Sequence, residues 1–296
     1  MFEYEIQSLF DIILMVIQMD GILFVNKPQG MTSHDVVFKL RKILQTKKIG
    51  HTGTLDPDAT GVLMILIGKS TKILPFIKNS TKEYVAELSF GYSSNTGDIW
   101  GNLEEHPITY PTLTELDEVL KSFVGKQKQI PPMVSAIKVN GKKLYEYERA
   151  GIEVEVKPRD VEIFELELLS YDKVIEFRAL CSSGTYIRSL CVDIANKLNQ
   201  KGVLSNLVRT KIDQYVLKDC FTLEQIQNGD FKLFTNHEVL STYKYFEFDD
   251  ITDVLVGKRV ELDCNEEIVM ITHKNEVVAA YEHVENGIYK SKRGLW

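Results

Sequence analysis

The spacing of apolar residues along this chain switches repeatedly between two periods, and that switching limits the fold more than any other feature. In "TSHDVVFKLRKIL" (32–44), Val36, Val37, Leu40, Ile43 and Leu44 share one helical face, with Thr32 or Ser33 placed as the cap. "TLTELDEVLKSF" (112–123) predicts a second helix, opened by a capping box from Thr112 to Glu115. "TYIRSLCVDIANKLN" (185–199) carries the strongest helical signal. There Ile187, Leu190, Cys191, Ile194, Ala195 and Leu198 recur at helical spacing, and Gly202 follows the end. Between these lie strand patterns. "VLMILI" (62–67) suits a buried strand, "EYVAELSFGY" (83–92) alternates with one wet face, and "VIEFRALC" (174–181) reads as another strand. Helices and strands interleaved in this way predict an α+β domain. After about residue 240 the runs become short and β-rich ("YKYFEFDD", "RVEL", "EIVMITHK", "EVVAAYEHV"), which predicts a small appended barrel or sandwich. The expected division is 1–18, 19–240 and 241–296.

A chain of 296 residues is long enough for one large domain and a small one. Its net charge of −7 argues mildly against a nucleic-acid partner, although local patches rather than the total set the field at a groove. Cys181, Cys191, Cys220 and Cys264 lie far apart with no C-x-x-C, and the histidines form no H-E-x-x-H. Spacing therefore offers neither a disulfide framework nor a zinc site, and a reducing, cytoplasmic compartment fits best. No run approaches the ~20 apolar residues of a membrane span. The opening "MFEYEIQSLFDIILMVIQ" has an acidic flank where a secretory signal needs a basic one. Residues 1–18 read as an appended amphipathic helix or an over-extended start, and no function attaches to them.

The segment "GHTGTLDPDATG" (50–61) has no hydrophobic reason to exist. Only Leu55 offers a large apolar side chain, so His51, Asp56 and Asp58 need an account. Asp58 after Pro57 reads as a turn residue. Asp56 can project from a loop anchored by Leu55, and the glycines allow a ligand to come close. In "SSGTYIR" (182–188), Arg188 falls in a helix's first turn, where the dipole disfavours a cation by ~0.3–1 kcal/mol. An anion beside it would reverse that, and Asp56 is the candidate. Two basic clusters follow the same logic less decisively: 39–48, and 125–149 with its lysines and Tyr145 and Tyr147. Interleaved base and aromatic suits RNA, and a solvated lysine surface explains it equally well. "LIGKST" (66–71) lacks the glycine of a phosphate loop, because Leu63 stands in its place.

"GHTGTLDPDATGVL" resembles the signature loop of TruB-type bacterial tRNA pseudouridine-55 synthases. "GILFVNKPQGMTSHDVV", "TKEYVAELSFGYSSNTGDIWG", "QIPPMVSAIKVNGKKLYE" and "CSSGTYIRSLCVDIA" resemble further blocks of that family in the same order, from about Gly21 to Tyr215. The resemblance implies a pseudouridine synthase fold: a central mixed or antiparallel sheet flanked by helices and loops, followed by a β-rich PUA-like domain that grips RNA. It makes Asp56 the catalytic aspartate and Arg188 its ion-pair partner. Tyr84 would stack on the target base, His51 would help flip it out, and Tyr186 and Leu207 would line its pocket. Lys27 and Pro28 would buttress the loop. Three positions depart from the pattern: Val134 for an aromatic, Val208 for a second arginine and Glu148 for a small residue.

The implied reaction breaks the N1–C1′ bond of uridine 55 in the tRNA T loop, turns the uracil and rejoins it through C5. It is redox-neutral, so neither cofactor nor metal is implied. A uracil hidden in folded RNA must first be extruded into a pocket, where an ionised carboxylate acts as nucleophile or base. The implied partner is the tRNA T-arm stem-loop, with no membrane and no obligate protein partner. Two other classes remain: a catalytically inactive RNA-binding or tRNA-folding protein, and a glycoside hydrolase. The second usually needs paired carboxylates, and Asp58 is the only neighbour of Asp56 available for that role.

Overall fold

The computed structural model describes residues 19–77 and 80–296. The reading of residues 1–18 falls outside the described residues.

The main sheet is mixed. Its strands are β1 (Gly21–Lys27), β2 (Ile49–His51), β3 (Thr60–Ile67), β4 (Lys82–Phe90), β5 (Gly125–Gln129), β6 (Arg159–Tyr171), β7 (Val174–Cys181), β8 (Gly202–Ile212) and β9 (Tyr215–Val216). They run in the order β1-β3-β8-β4-β7-β6-β5, with β2 on β3 and β9 on β8. All contacts are antiparallel except β3 with β8, which pair in parallel at Val208–Thr60 and Arg209–Gly61. That parallel pair joins the two halves of the sheet and brings the loop before β3 beside β4 and β8. Gly61 makes it possible. Its φ is +104°, and a Cβ there would lie 2.2 Å from the Arg209 carbonyl oxygen. β3 is buried on both faces, which explains its unbroken apolar run.

Helix α1 (Ser33–Ile43) opens on Thr32, whose hydroxyl caps the Asp35 amide while Asp35 returns the bond. α2 (Leu113–Lys121) has the Thr112–Glu115 box. α3 (Leu144–Arg149) is short, and α4 (Ile187–Lys197) is the helix of the strongest signal. α4 buries Ile187, Leu190, Cys191 and Ile194 against Leu88, Phe177 and Leu204 of the sheet. Each such side chain contributes about 1.5–3 kcal/mol. Gly202 follows its end without capping it. The helix ends at Leu198 and turns through Asn199, at φ 55°. Gly202 instead opens β8, where a Cβ would come within 2.8 Å of Ala195 and 2.9 Å of Leu88. Leu66 and Ile67 of "LIGKST" end β3 and the rest opens a 3₁₀ turn from Gly68 to Phe76, not a phosphate loop.

The tail forms its own five-stranded sheet from β10 (Lys244–Glu247), β11 (Val260–Glu261), β12 (Ile268–His273), β13 (Glu276–Glu285) and β14 (Ile288–Gly294), in the order β10-β12-β13-β14-β11. Val269, Ile271, Tyr281 and Tyr289 make an internal core. The opposite face of the same strands, with Met270, Val277 and Ala280, joins Ile22, Phe24, Met64 and Phe234 of the main body in one cluster. Among the described residues no helix is long and apolar enough to cross a membrane.

Candidate active site

The 52–59 loop is held from three sides. Leu55 is 3% exposed, and both its amide and its carbonyl bond the Ser33 hydroxyl in the first turn of α1, at 2.8 and 3.2 Å. Lys27 is fully buried. Its ammonium donates to the carbonyls of Pro28 (2.9 Å), Met31 (2.5 Å) and Pro57 (2.9 Å), one per proton. The Gly30 amide takes the same Pro57 oxygen at 2.9 Å. Burial depresses the Lys27 pKa to about 8, with Asp58 and Asp56 opposing. Pro28 is exposed and contributes its carbonyl. The Ala59 amide closes a turn on the Asp56 carbonyl at 3.2 Å, and Asp58 sits in that turn.

Asp56 leaves this loop toward Arg188. Arg188 Nε lies 2.9 Å from Asp56 Oδ2, and its NH2 lies 3.4 Å from Oδ1. The guanidinium is 4% exposed and also donates to the carbonyls of Thr96 and Val134, both at 2.8 Å. A second carboxylate, Asp98, stands 3.7 Å from its NH1 and is itself held by the Thr96 hydroxyl and the Trp100 amide. The cation at the start of α4 therefore faces two anions and two carbonyls, which offset the unfavourable dipole. Val134 contributes only backbone, so its departure from an aromatic leaves this bond intact. Burial pushes the Asp56 carboxyl above its ordinary value, Arg188 pulls it down and Asp98 pushes it up. The side chain keeps 43% of its surface open, because one flank faces a cleft.

That cleft is a cavity of about 280 Å³, at the small end for a ligand site. Asp56, Tyr84, Tyr186, Arg188 and Leu207 all line it. Tyr84 and Leu207 come from the adjacent strands β4 and β8, each 6% exposed. Tyr186 is fixed by Gln129, whose side-chain amide bonds the Tyr186 backbone on both sides at 2.8 and 3.0 Å. Burial raises the phenol pKa of both tyrosines, so both stay protonated at neutral pH. His51 is not on this wall. It ends β2, paired with Ile65, half-buried, with its Nδ1 unpartnered among the described residues. Burial lowers its pKa and keeps it neutral.

Sequence reasoning missed several members. Lys82 lines the cavity two residues before Tyr84, on the same face of β4. Arg209 is fully buried two residues after Leu207 and directly across from Tyr84, donating to the carbonyls of Val62 (2.7 Å) and Gly53 (3.3 Å). Strand alternation from Tyr84 and Leu207 is the signal that could have found both. Asp98, Gln129 and Ser135 had no local signal. Of the basic clusters, Arg41 is spent on the Ile49 carbonyl at 3.0 Å, and Lys128 pairs with Asp160 at 3.0 Å.

Residues 41–187 match the family model described as TruB family pseudouridylate synthase (N terminal domain). The chain is 44% identical over 286 residues to tRNA pseudouridine synthase B of Bacillus cereus (strain ATCC 10987 / NRS 248), covering 90% of this chain and 93% of that one. It is 50% identical over 216 residues to tRNA pseudouridine synthase B of Oceanobacillus iheyensis, covering 71% of each. A chain from the crystal structure of a Cbf5-Nop10-Gar1 complex shares the fold, with a TM-score of 0.70 over 96% of this chain and 87% of that one, at 21% identity. The fold is that of a pseudouridine synthase. The chain belongs to the TruB family of pseudouridylate synthases.

Proposed function

We infer that this chain isomerises uridine to pseudouridine in tRNA, at position 55 of the T loop. The observation that carries this reading is the Asp56–Arg188 ion pair on the wall of a cavity floored by Tyr84 and Leu207. Uridine and pseudouridine contain the same atoms. N1–C1′ breaks, C5–C1′ forms, C5 loses a proton and N1 gains one. The uracil has to leave its stack and enter the cavity. Asp56 acts ionised, and Arg188 keeps it so against the burial that favours its neutral form. Tyr84 offers a flat face to the ring, and Tyr186 and Leu207 supply the walls. His51, off the cavity wall, is assigned to the flipping step, not to the chemistry. Lys27 and Pro28 hold the loop that presents Asp56.

Residues 19–240 form the catalytic unit in this reading, and residues 241–296 a PUA-like RNA grip. The reaction is assigned to the cytoplasm, on the T-arm stem-loop and without an obligate protein partner. The test is incubation with unmodified tRNA, followed by mapping of pseudouridine. Formation at position 55 supports the reading, and tRNA binding without product would favour an inactive RNA-binding protein.

A further inference from the structure

We propose that Lys82 and Ser183 form a phosphate-binding lip at the mouth of the cavity, which holds the RNA backbone beside the extruded nucleotide. The proposal rests on the pseudouridine synthase reading. Both residues line the cavity, and Lys82 Nζ donates to the Ser183 hydroxyl at 3.2 Å. Ser183 and Gly184 are exposed, so this contact sits at the rim and not on the floor. Lys82 has no carboxylate within ion-pair distance among the described residues. A second cation compounds the excess charge. A Cβ built on Gly53 would lie 3.4 Å from Lys82 Nζ and 3.8 Å from Arg209 NH1, so both cations flank the loop that carries Asp56. Arg209 NH1 has no hydrogen-bond partner among the described residues. Two neighbouring cations without an ion-paired carboxylate are costly unless the ligand brings an anion. RNA brings phosphates, and a lysine point charge with a hydroxyl donor suits them.

The groups around Lys82 agree. Burial, the largest cause, and then Arg209 of β8 lower its pKa to about 8, while Cys181 of β7 and Asp213 after β8 oppose. Below about pH 8 the ammonium is charged and the lip can bind. As pH rises through that value the free lip loses its charge, so affinity falls.

The test uses T-arm hairpins carrying one neutral methylphosphonate at either phosphate flanking the target nucleotide. Wild type is expected to bind one of the two about tenfold more weakly than the unmodified hairpin. Lys82→Met is expected to lose a similar factor on the unmodified hairpin and nothing further on that methylphosphonate. Its salt slope should fall by about one. Lys82→Arg should restore affinity and remove the decline above pH 8. Ser183→Ala, on an exposed lip, should give a smaller loss without a folding risk. Multiplying losses for Lys82→Met and the methylphosphonate would overturn the proposal, as would an unchanged salt slope. A lower single-turnover rate with a normal slope would place Lys82 on the uracil instead. Product formation by wild type on the unmodified hairpin is read separately, so failure of the lip and failure of the functional reading are distinguishable.

Discussion

Replacing Arg188 with lysine keeps a charge at the start of α4 and removes the fork. In the structure the guanidinium makes two contacts to Asp56, at 2.9 and 3.4 Å, and two to the carbonyls of Thr96 and Val134, at 2.8 Å each. A lysine ammonium at the end of an unbranched stem cannot reach all of these, so at least two charge-assisted bonds go. At about 1.5 kcal/mol each the loss is about 3 kcal/mol, or roughly 10²-fold in rate if all of it is expressed in the transition state. Arg188→Ala should lose more, because Asp56 and Asp98 then face each other with no cation between them. The pH profile provides a second readout. Burial already raises the Asp56 pKa, and the Arg188 guanidinium is the main group opposing it. The ionised carboxylate is lost as pH falls through the folded pKa, so the acid limb of the rate lies above the ordinary aspartate value. It should move to higher pH in Arg188→Ala and less in Arg188→Lys, which retains the charge. Single-turnover rates at saturating enzyme, across pH and beside binding at two salt concentrations, measure both effects. A normal single-turnover rate with a flattened salt slope and an unmoved acid limb would mean that Arg188 contacts a phosphate and that the ion-pair reasoning is wrong.

Asp56→Asn should abolish pseudouridine formation and leave tRNA binding within several-fold, whereas Asp58→Asn, in the turn, should cost far less. A tritium-release assay checks both, and the reverse ranking would exchange their roles. Gly61→Ala should destabilise the fold by at least ~3 kcal/mol in urea unfolding, since its Cβ would lie 2.2 Å from the Arg209 carbonyl oxygen. A loss under ~1 kcal/mol would contradict that close approach. Removal of 241–296 should weaken tRNA binding, lower the Tm by several degrees and leave reduced but measurable activity on a T-arm hairpin. It strips Met270, Val277 and Ala280 from a cluster shared with Ile22, Phe24 and Phe234. A folded but wholly inactive fragment would make the tail part of the catalytic unit.

The sequence by itself determined what short-range physics controls. Period and capping chemistry placed α1, α2 and α4 within a residue or two, because the Thr32–Asp35 and Thr112–Glu115 boxes are made within one turn. An apolar run with no alternation marked β3 as buried on both faces, and the tail's β texture was legible for the same reason. A loop with almost nothing to bury marked Asp56, and a cation in an unfavourable dipole marked Arg188 as wanting an anion. Only the tertiary structure decided which anions answered it. Asp56 and Arg188 are 132 positions apart, and Asp98 reaches the same guanidinium from a third segment. The parallel pairing of β3 with β8 sets that meeting, and it depends on the missing side chain of Gly61, which no local pattern reveals. The same holds for Gly202, which follows α4 in the sequence but is required to be glycine by packing against Ala195 and Leu88. His51 marks the opposite limit. Resemblance named it for base flipping, and β2, pairing it with Ile65, leaves it off the lining of the cavity that holds Asp56. Local interactions are written in neighbouring residues, but the reach of a side chain across the fold is set by strand register, which many distant residues determine together.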